Sequence, residues 1–251
     1  MMTRIKGWKK FLLAAVVIST LAVVSVAQEA HSWSYSGATG PDHWSEISAT
    51  CGTGRAQSPI DIVDPTKSKL PALTFSYQAS PLNVINNGHT IQANYAPGSN
   101  LVLEGKSYEL QQFHFHHLSE TTIKGKHSPM EAHLVHEDKE GNLLVVAVLL
   151  REGKANSAVG TVWKNIGTEE GKANAPAGVS VDAATLLPSK RNYYTFSGSL
   201  TTPPCSENVT WVVVTHPVTV SKEQIEAFAK LYPSNARPVQ PLNGRKVLES
   251  E

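Results

Sequence analysis

The chain has 251 residues, 41% apolar and only 17% charged, with 22 Lys and Arg set against 21 Asp and Glu. That is enough apolar material for one large domain or two small ones. The near-neutral balance, with no basic stripe and no interleaving of basic and aromatic residues, excludes a nucleic-acid-binding surface, and no low-complexity tract or solenoid-period repeat is present.

The chain opens with Arg4, Lys6, Lys9 and Lys10 ahead of an apolar stretch over 11–24, broken only by Ser19 and Thr20, and then the small residues Ser25-Val26-Ala27. This is the pattern of a secretory signal peptide over 1–27, cleaved rather than kept as an anchor, because the stretch is short for a membrane span. Cleavage leaves 18 basic and 21 acidic residues, a formal charge of −3, and no membrane segment. An exported protein, periplasmic or secreted, is expected.

Residues 33–53, rich in Gly, Ser, Pro and Trp, read as an irregular arm. Cys51 and Cys205 are the only cysteines; an even count in an oxidising compartment predicts one disulfide. Asn86-Asn87-Gly88-His89 reads as a turn between two strands. Strands follow from Leu101, over 108–117, over Met130–Glu137 and, as a continuous apolar run buried on both faces, over 143–150. Helical patterns are few: 155–165, 182–186 and 221–231, the last opened by Ser221-Lys222-Glu223-Gln224 as a capping box. Many short strands and little helix predict one mainly-β domain with short helices, an α+β arrangement, over 31–249.

Six of the ten histidines fall between His114 and His136. On a strand, Gln112, His114 and His116 share one face and Phe113 and Phe115 the other. Across a hairpin, His133 shares its face with Val135, while His136 points away. His114, His116 and His133 therefore form the simplest three-imidazole site, which suits zinc and leaves a coordination position open for catalysis. Glu131 and Gln112 each lie two residues before a candidate ligand and can hold an imidazole from behind.

The segment Gln112-Phe113-His114-Phe115-His116 with Glu131-Ala132-His133-Leu134-Val135-His136 resembles the α-class carbonic anhydrases. So do Gln57-Ser58-Pro59-Ile60-Asp61-Ile62, Asn86-Asn87-Gly88-His89, Gly198-Ser199-Leu200-Thr201-Thr202-Pro203-Pro204, Val209-Thr210-Trp211 and Asn235-Ala236-Arg237-Pro238. The blocks occur in family order along nearly the whole exported chain. The signal peptide and the cysteine pair resemble exported, including bacterial, members.

The resemblance implies a single domain on a large, twisted, mostly antiparallel central sheet with a conical zinc cleft. It also implies zinc-dependent reversible hydration of CO2 to bicarbonate and a proton, by attack of zinc-bound hydroxide with histidine-mediated proton shuttling. His114, His116 and His133 match the zinc ligands, with Gln112 and Glu131 behind them. Thr201 matches the threonine that orients the attacking group and donates to Glu120, and His89 the proton shuttle. Tyr35, Asn87 and Gln92 would hold the proton-path waters, with Gln92 standing where many relatives have Asn. Val135, Val145, Leu200, Thr202, Val209 and Trp211 would line the substrate pocket. Sulfonamides and anions are the expected inhibitors, and a homodimer is left open. Thr121 stands where many relatives have His, and His117 where animal members are often aromatic, so hydrogen bonding near the ligands can differ. The alternatives are a non-catalytic binding module on the same fold, or a zinc esterase. All three ligand histidines, Glu120 and Thr201 being present argues against the first.

Overall fold

A computed structural model describes residues 32–251; the leader read over 1–27 lies outside the described residues. Among those described, no helix is long and apolar enough to cross a membrane. The largest sheet has the strand Lys106–His116 between Ile91–Asn94 and Met130–Glu137, and continues through Leu143–Glu152, Glu207–Val214 and Tyr193–Ser199. The sheet is mixed but mostly antiparallel. Its described parallel ladders are Leu143–Glu152 with Glu207–Val214 and with Val218–Val220, and Leu248–Ser250 with Thr66–Ser68.

Alternation along the strands sorts the side chains onto two faces. Phe113, Phe115, Leu134, Leu144, Val146, Val148 and Leu150 enter the larger core on one face. Val145, Ala147, Trp211 and Val213 enter a smaller cluster with Ile60 and Ile62 on the other. Leu143–Glu152 is thus apolar on both sides, as its unbroken hydrophobic run requires.

The short helices close the larger core. Lys222–Leu231 begins at the capping box: Ser221 Oγ accepts from the Gln224 amide at 3.3 Å, and Gln224 Oε1 accepts from the Ser221 amide at 3.0 Å. Its Phe228 stacks on Trp163 of the helix Ser157–Lys164, centroids 5.4 Å apart, and Trp163 meets Phe115 edge-on at 4.8 Å. The back of the histidine strand is therefore anchored in aromatic packing.

Several boundaries differ from the sequence expectation. The 155–165 helix is confined to Ser157–Lys164 because Asn156 Oδ1 accepts from the Val159 amide and caps it. The 182–186 segment is a single 3-10 turn, Ala183–Leu186, opened by Asp182. Residues 33–53 are not wholly irregular. They contain the helical turns Trp44–Ile47 and Ala49–Thr53, organised by the fully buried Trp44, whose indole donates to the carbonyls of Ser34 and Thr39. Cys51, in the second of these turns, is disulfide-bonded to Cys205 with Cα atoms 5.1 Å apart.

Candidate metal centre and active site

Two rows of directly paired residues cross the sheet and build the site. One row runs Gln92, His114, His133, Ala147; the next runs Asn94, Gln112, Val135, Val145, Trp211. Paired residues share a face, so register alone brings histidines, amides and an apolar wall together. His116 lies one pleat along, opposite Glu131. Candidate ligand atoms of His114, His116 and His133 all lie within 4.8 Å of one another. His136 is buried on the opposite face, where its Nε2 lies 2.5 Å from the Tyr77 hydroxyl and its Nδ1 3.2 Å from the Leu144 carbonyl.

The far nitrogens of two of the three rings are held, and that of the third faces a carboxylate. His114 Nδ1 donates to Gln112 Oε1 and His116 Nδ1 to the Asn235 carbonyl, each at 2.8 Å. Glu131 Oε1 stands 3.2 Å from His133 Nε2, close but without the alignment of a formed hydrogen bond. These partners leave Nε2 of His114, Nε2 of His116 and Nδ1 of His133 as the inward lone pairs. His116 Nε2 is buried with no hydrogen-bond partner among the described residues, a cost that a bound cation would relieve. Burial pushes the pKa of all three rings down, and for His114 the neighbouring His116 and His133 add to it. Three neutral imidazoles facing one point suit a borderline cation such as zinc.

Two buried carboxyls stand behind the rings. Glu131 accepts from the Thr121 amide and from the Thr121 hydroxyl, both at 2.8 Å. The network at Thr121 is thus closed. Glu120 Oε1 accepts from the Arg237 amide at 2.8 Å, and Oε2 lies 3.6 Å from His116 Nε2. Burial pushes the Glu120 pKa up to about 8, against the lowering effects of the Arg237 amide and the Thr201 side chain. A cation among the histidines favours the ionised form of this carboxyl.

In front of the rings is a cavity of ≈180 Å³. Val135, Val145, Leu200 and Trp211 line its apolar part, with Thr201 and Thr202 beside them; Tyr35, Asn87, His89, Gln92 and Gln112 line its polar part. Val209 packs beside Trp211 in the smaller apolar cluster, 2% exposed. His89 is presented by a turn in which Asn87 Oδ1 accepts from the amides of His89 and Thr90, with Gly88 at φ +83°. Tyr35 has its pKa raised by burial first and by Glu120 second. Gln92 Nε2 donates to Asn94 Oδ1 at 2.7 Å.

Three contributors were given no role by the sequence reading. Trp33 lines the cavity and stacks on His89, centroids 3.7 Å apart. Asn235 holds His116 through its carbonyl, donates its side-chain amide to the His89 and Phe115 carbonyls, each at 3.0 Å, and accepts from the His117 amide at 2.7 Å. Arg237 supports Glu120, and its buried guanidinium binds the Cys51 and Ser58 carbonyls and Gln57 Oε1. The block Asn235-Ala236-Arg237-Pro238 was the signal that marked the last two.

A sequence model described as eukaryotic-type carbonic anhydrase matches residues 39–251. The chain is 44% identical over 246 residues to a carbonic anhydrase of Neisseria gonorrhoeae, covering 95% of this chain and 96% of that one. It is 44% identical over 227 residues to one of Nostoc sp., covering 87% and 86%. Among solved structures, the α-carbonic anhydrase of Thermovibrio ammonificans in complex with the inhibitor sulfanilamide superposes with a TM-score of 0.83 at 46% identity, covering 86% of this chain and 98% of that one.

Proposed function

Because the chain belongs to the α-class carbonic anhydrase family, we propose that it hydrates CO2 reversibly to bicarbonate and a proton with a zinc ion held by His114, His116 and His133. The observation that carries this reading is the set of three imidazoles, His116 and His133 buried and His114 half-buried, with candidate ligand atoms within 4.8 Å of one another, facing a partly apolar cavity. Zinc bound there supplies Lewis-acid chemistry that makes water acidic and nucleophilic near neutrality, chemistry for which this family is itself the standard example.

The residues of the chain account for the rest. Gln112 and Asn235 hold two of the rings by their far nitrogens and Glu131 stands at that of the third, so that the lone pairs stay inward. The Thr201 hydroxyl, directed to Glu120, is left as an acceptor toward the cavity, so it selects an attacking group that has a proton to give. Val135, Val145, Leu200 and Trp211 give uncharged CO2 a dry wall, backed by Val209, and Thr202 borders the same space. His89 carries the released proton outward, since an imidazole takes up and gives back protons near neutral pH. Tyr35, Asn87 and Gln92 hold the waters between.

The sulfanilamide complex of the Thermovibrio ammonificans enzyme supports extending sulfonamide inhibition to this cavity, and simple anions with it. The leader pattern over 1–27 and the disulfide support export to the periplasm or beyond.

Stopped-flow CO2 hydration with and without a zinc chelator tests the reading. Activity lost on chelation and restored by zinc is expected. Full activity in the metal-free protein, or in His114→Ala, would overturn it.

A further inference from the structure

Thr121 lies in the connection between the two histidine strands, 1% exposed, and makes a double contact. Its amide donates to Glu131 Oε2 and its hydroxyl to Glu131 Oε1, both at 2.8 Å, so one residue holds both oxygens of the carboxyl. Glu131 Oε1 is the oxygen that faces His133 Nε2 at 3.2 Å. The hydroxyl of Thr121 therefore sets the position of the one atom that addresses the ring.

Thr121 is itself fixed on both sides. Its carbonyl accepts from Ser119 Oγ at 2.8 Å. The next residue, Thr122, starts the strand Thr122–Ile123, paired in parallel with Asp61–Ile62, and its hydroxyl donates to Asp61 Oδ1 at 2.7 Å. A β-branched residue in such a setting has little rotamer freedom, so its hydroxyl is a rigid donor. Of the three rings, His133 alone has a carboxylate at its far nitrogen; His114 and His116 have neutral oxygens. A carboxylate there raises the donor strength of the imidazole, provided it is held in line.

We propose that Thr121 is a positioning residue for the third ligand: its hydroxyl fixes the Glu131 carboxylate that orients His133, and so governs how tightly zinc is held. This rests on the zinc reading above, and the test separates the two.

Thr121→Val keeps shape and the amide contact but removes the hydroxyl; Thr121→Ser keeps the hydroxyl. Zinc transfer from the full-length holoenzyme to a chromophoric chelator is followed for each. Thr121→Val is expected to release zinc roughly 10- to 100-fold faster than the parent, the usual cost of losing an outer hydrogen-bond partner, while Thr121→Ser stays near the parent. In a Glu131→Gln background Thr121→Val should add no further acceleration, because the two act as a unit. If Thr121→Val does not fold, Thr121→Ala is read in its place. Parental release from the variant lacking the hydroxyl, equal acceleration in Thr121→Ser, or an undiminished effect in the Glu131→Gln background would each overturn the proposal. A parent chain that takes up no zinc overturns the zinc reading itself.

Discussion

The indole of Trp33 lies flat against the imidazole of His89, centroids 3.7 Å apart and planes within 9° of parallel. The stack covers a face of a half-buried ring. Burial is the leading cause that lowers the His89 pKa, with Glu170 opposing it. The ring is therefore biased toward the neutral form that accepts a proton. Trp33→Ala is expected to raise the His89 pKa toward that of a free imidazole, read by proton NMR titration of its ring; an unchanged or lower value would rule the stack out as its cause.

On the proposed mechanism, His89→Ala slows turnover in weak buffer by about 10- to 100-fold, near or below the usual effect of a positioned acid–base group because dissolved buffer can substitute. Concentrated imidazole should restore much of the rate. Unchanged turnover in weak buffer would remove His89 from the proton path.

His136 gives the fold a dependence on acidity. Burial pushes its pKa down to about 4, against the hydrogen bonds of the Leu144 and Leu134 backbone. In the unfolded chain it titrates near 6.5, so between the two values the unfolded state binds the extra proton. Its contribution is intact above about pH 6.5 and is lost as the pH falls to about 4, on the order of 3 kcal/mol in all. Urea unfolding of metal-free protein at pH 7 and pH 4.5 should show a smaller difference in His136→Gln than in the parent. Equal slopes would mean that other groups carry the effect.

Gly198 is required by space. A Cβ there would sit 2.1 Å from Ser58 Oγ and 2.7 Å from Trp211 Cδ1. The same Ser58 hydroxyl accepts from the Ser199 amide, and the Trp211 indole donates to the Ser199 carbonyl, so the clash falls where the chain enters the Leu200–Thr201 segment. Gly198→Ala is expected to cost about 1–3 kcal/mol and to reduce activity while zinc content is kept. A urea midpoint equal to that of the parent would show that the neighbours yield freely.

The Cys51–Cys205 bridge closes 154 positions of chain. The chain-entropy account assigns such a loop roughly 4–5 kcal/mol, which for a domain of this size is a fall in Tm of roughly 10 °C or more. Thermal unfolding of Cys51→Ser/Cys205→Ser measures it, and a change of only a degree or two would show that the reduced state is already constrained.

What could be read from the sequence was whatever repeats with the pleat. Period two placed His114 and His116 together and chose His133 over His136, and the ladder His114 opposite His133 confirms that geometry. Parity says nothing about what a side chain meets beyond its own sheet. Contacts made by distant loops were equally hidden: Asn235 reaches His116 across 119 positions, and Trp33 belongs to a segment without periodicity, ordered by the burial of Trp44.

Asn235 ties the turn bearing His89 to the ring of His116 through atoms of a single residue. On the proposed mechanism these are the outer and inner ends of the proton's route, and they are bolted to one bracket. The spacing of the two ends is thus set by the hydrogen bonds of one side chain and its own carbonyl.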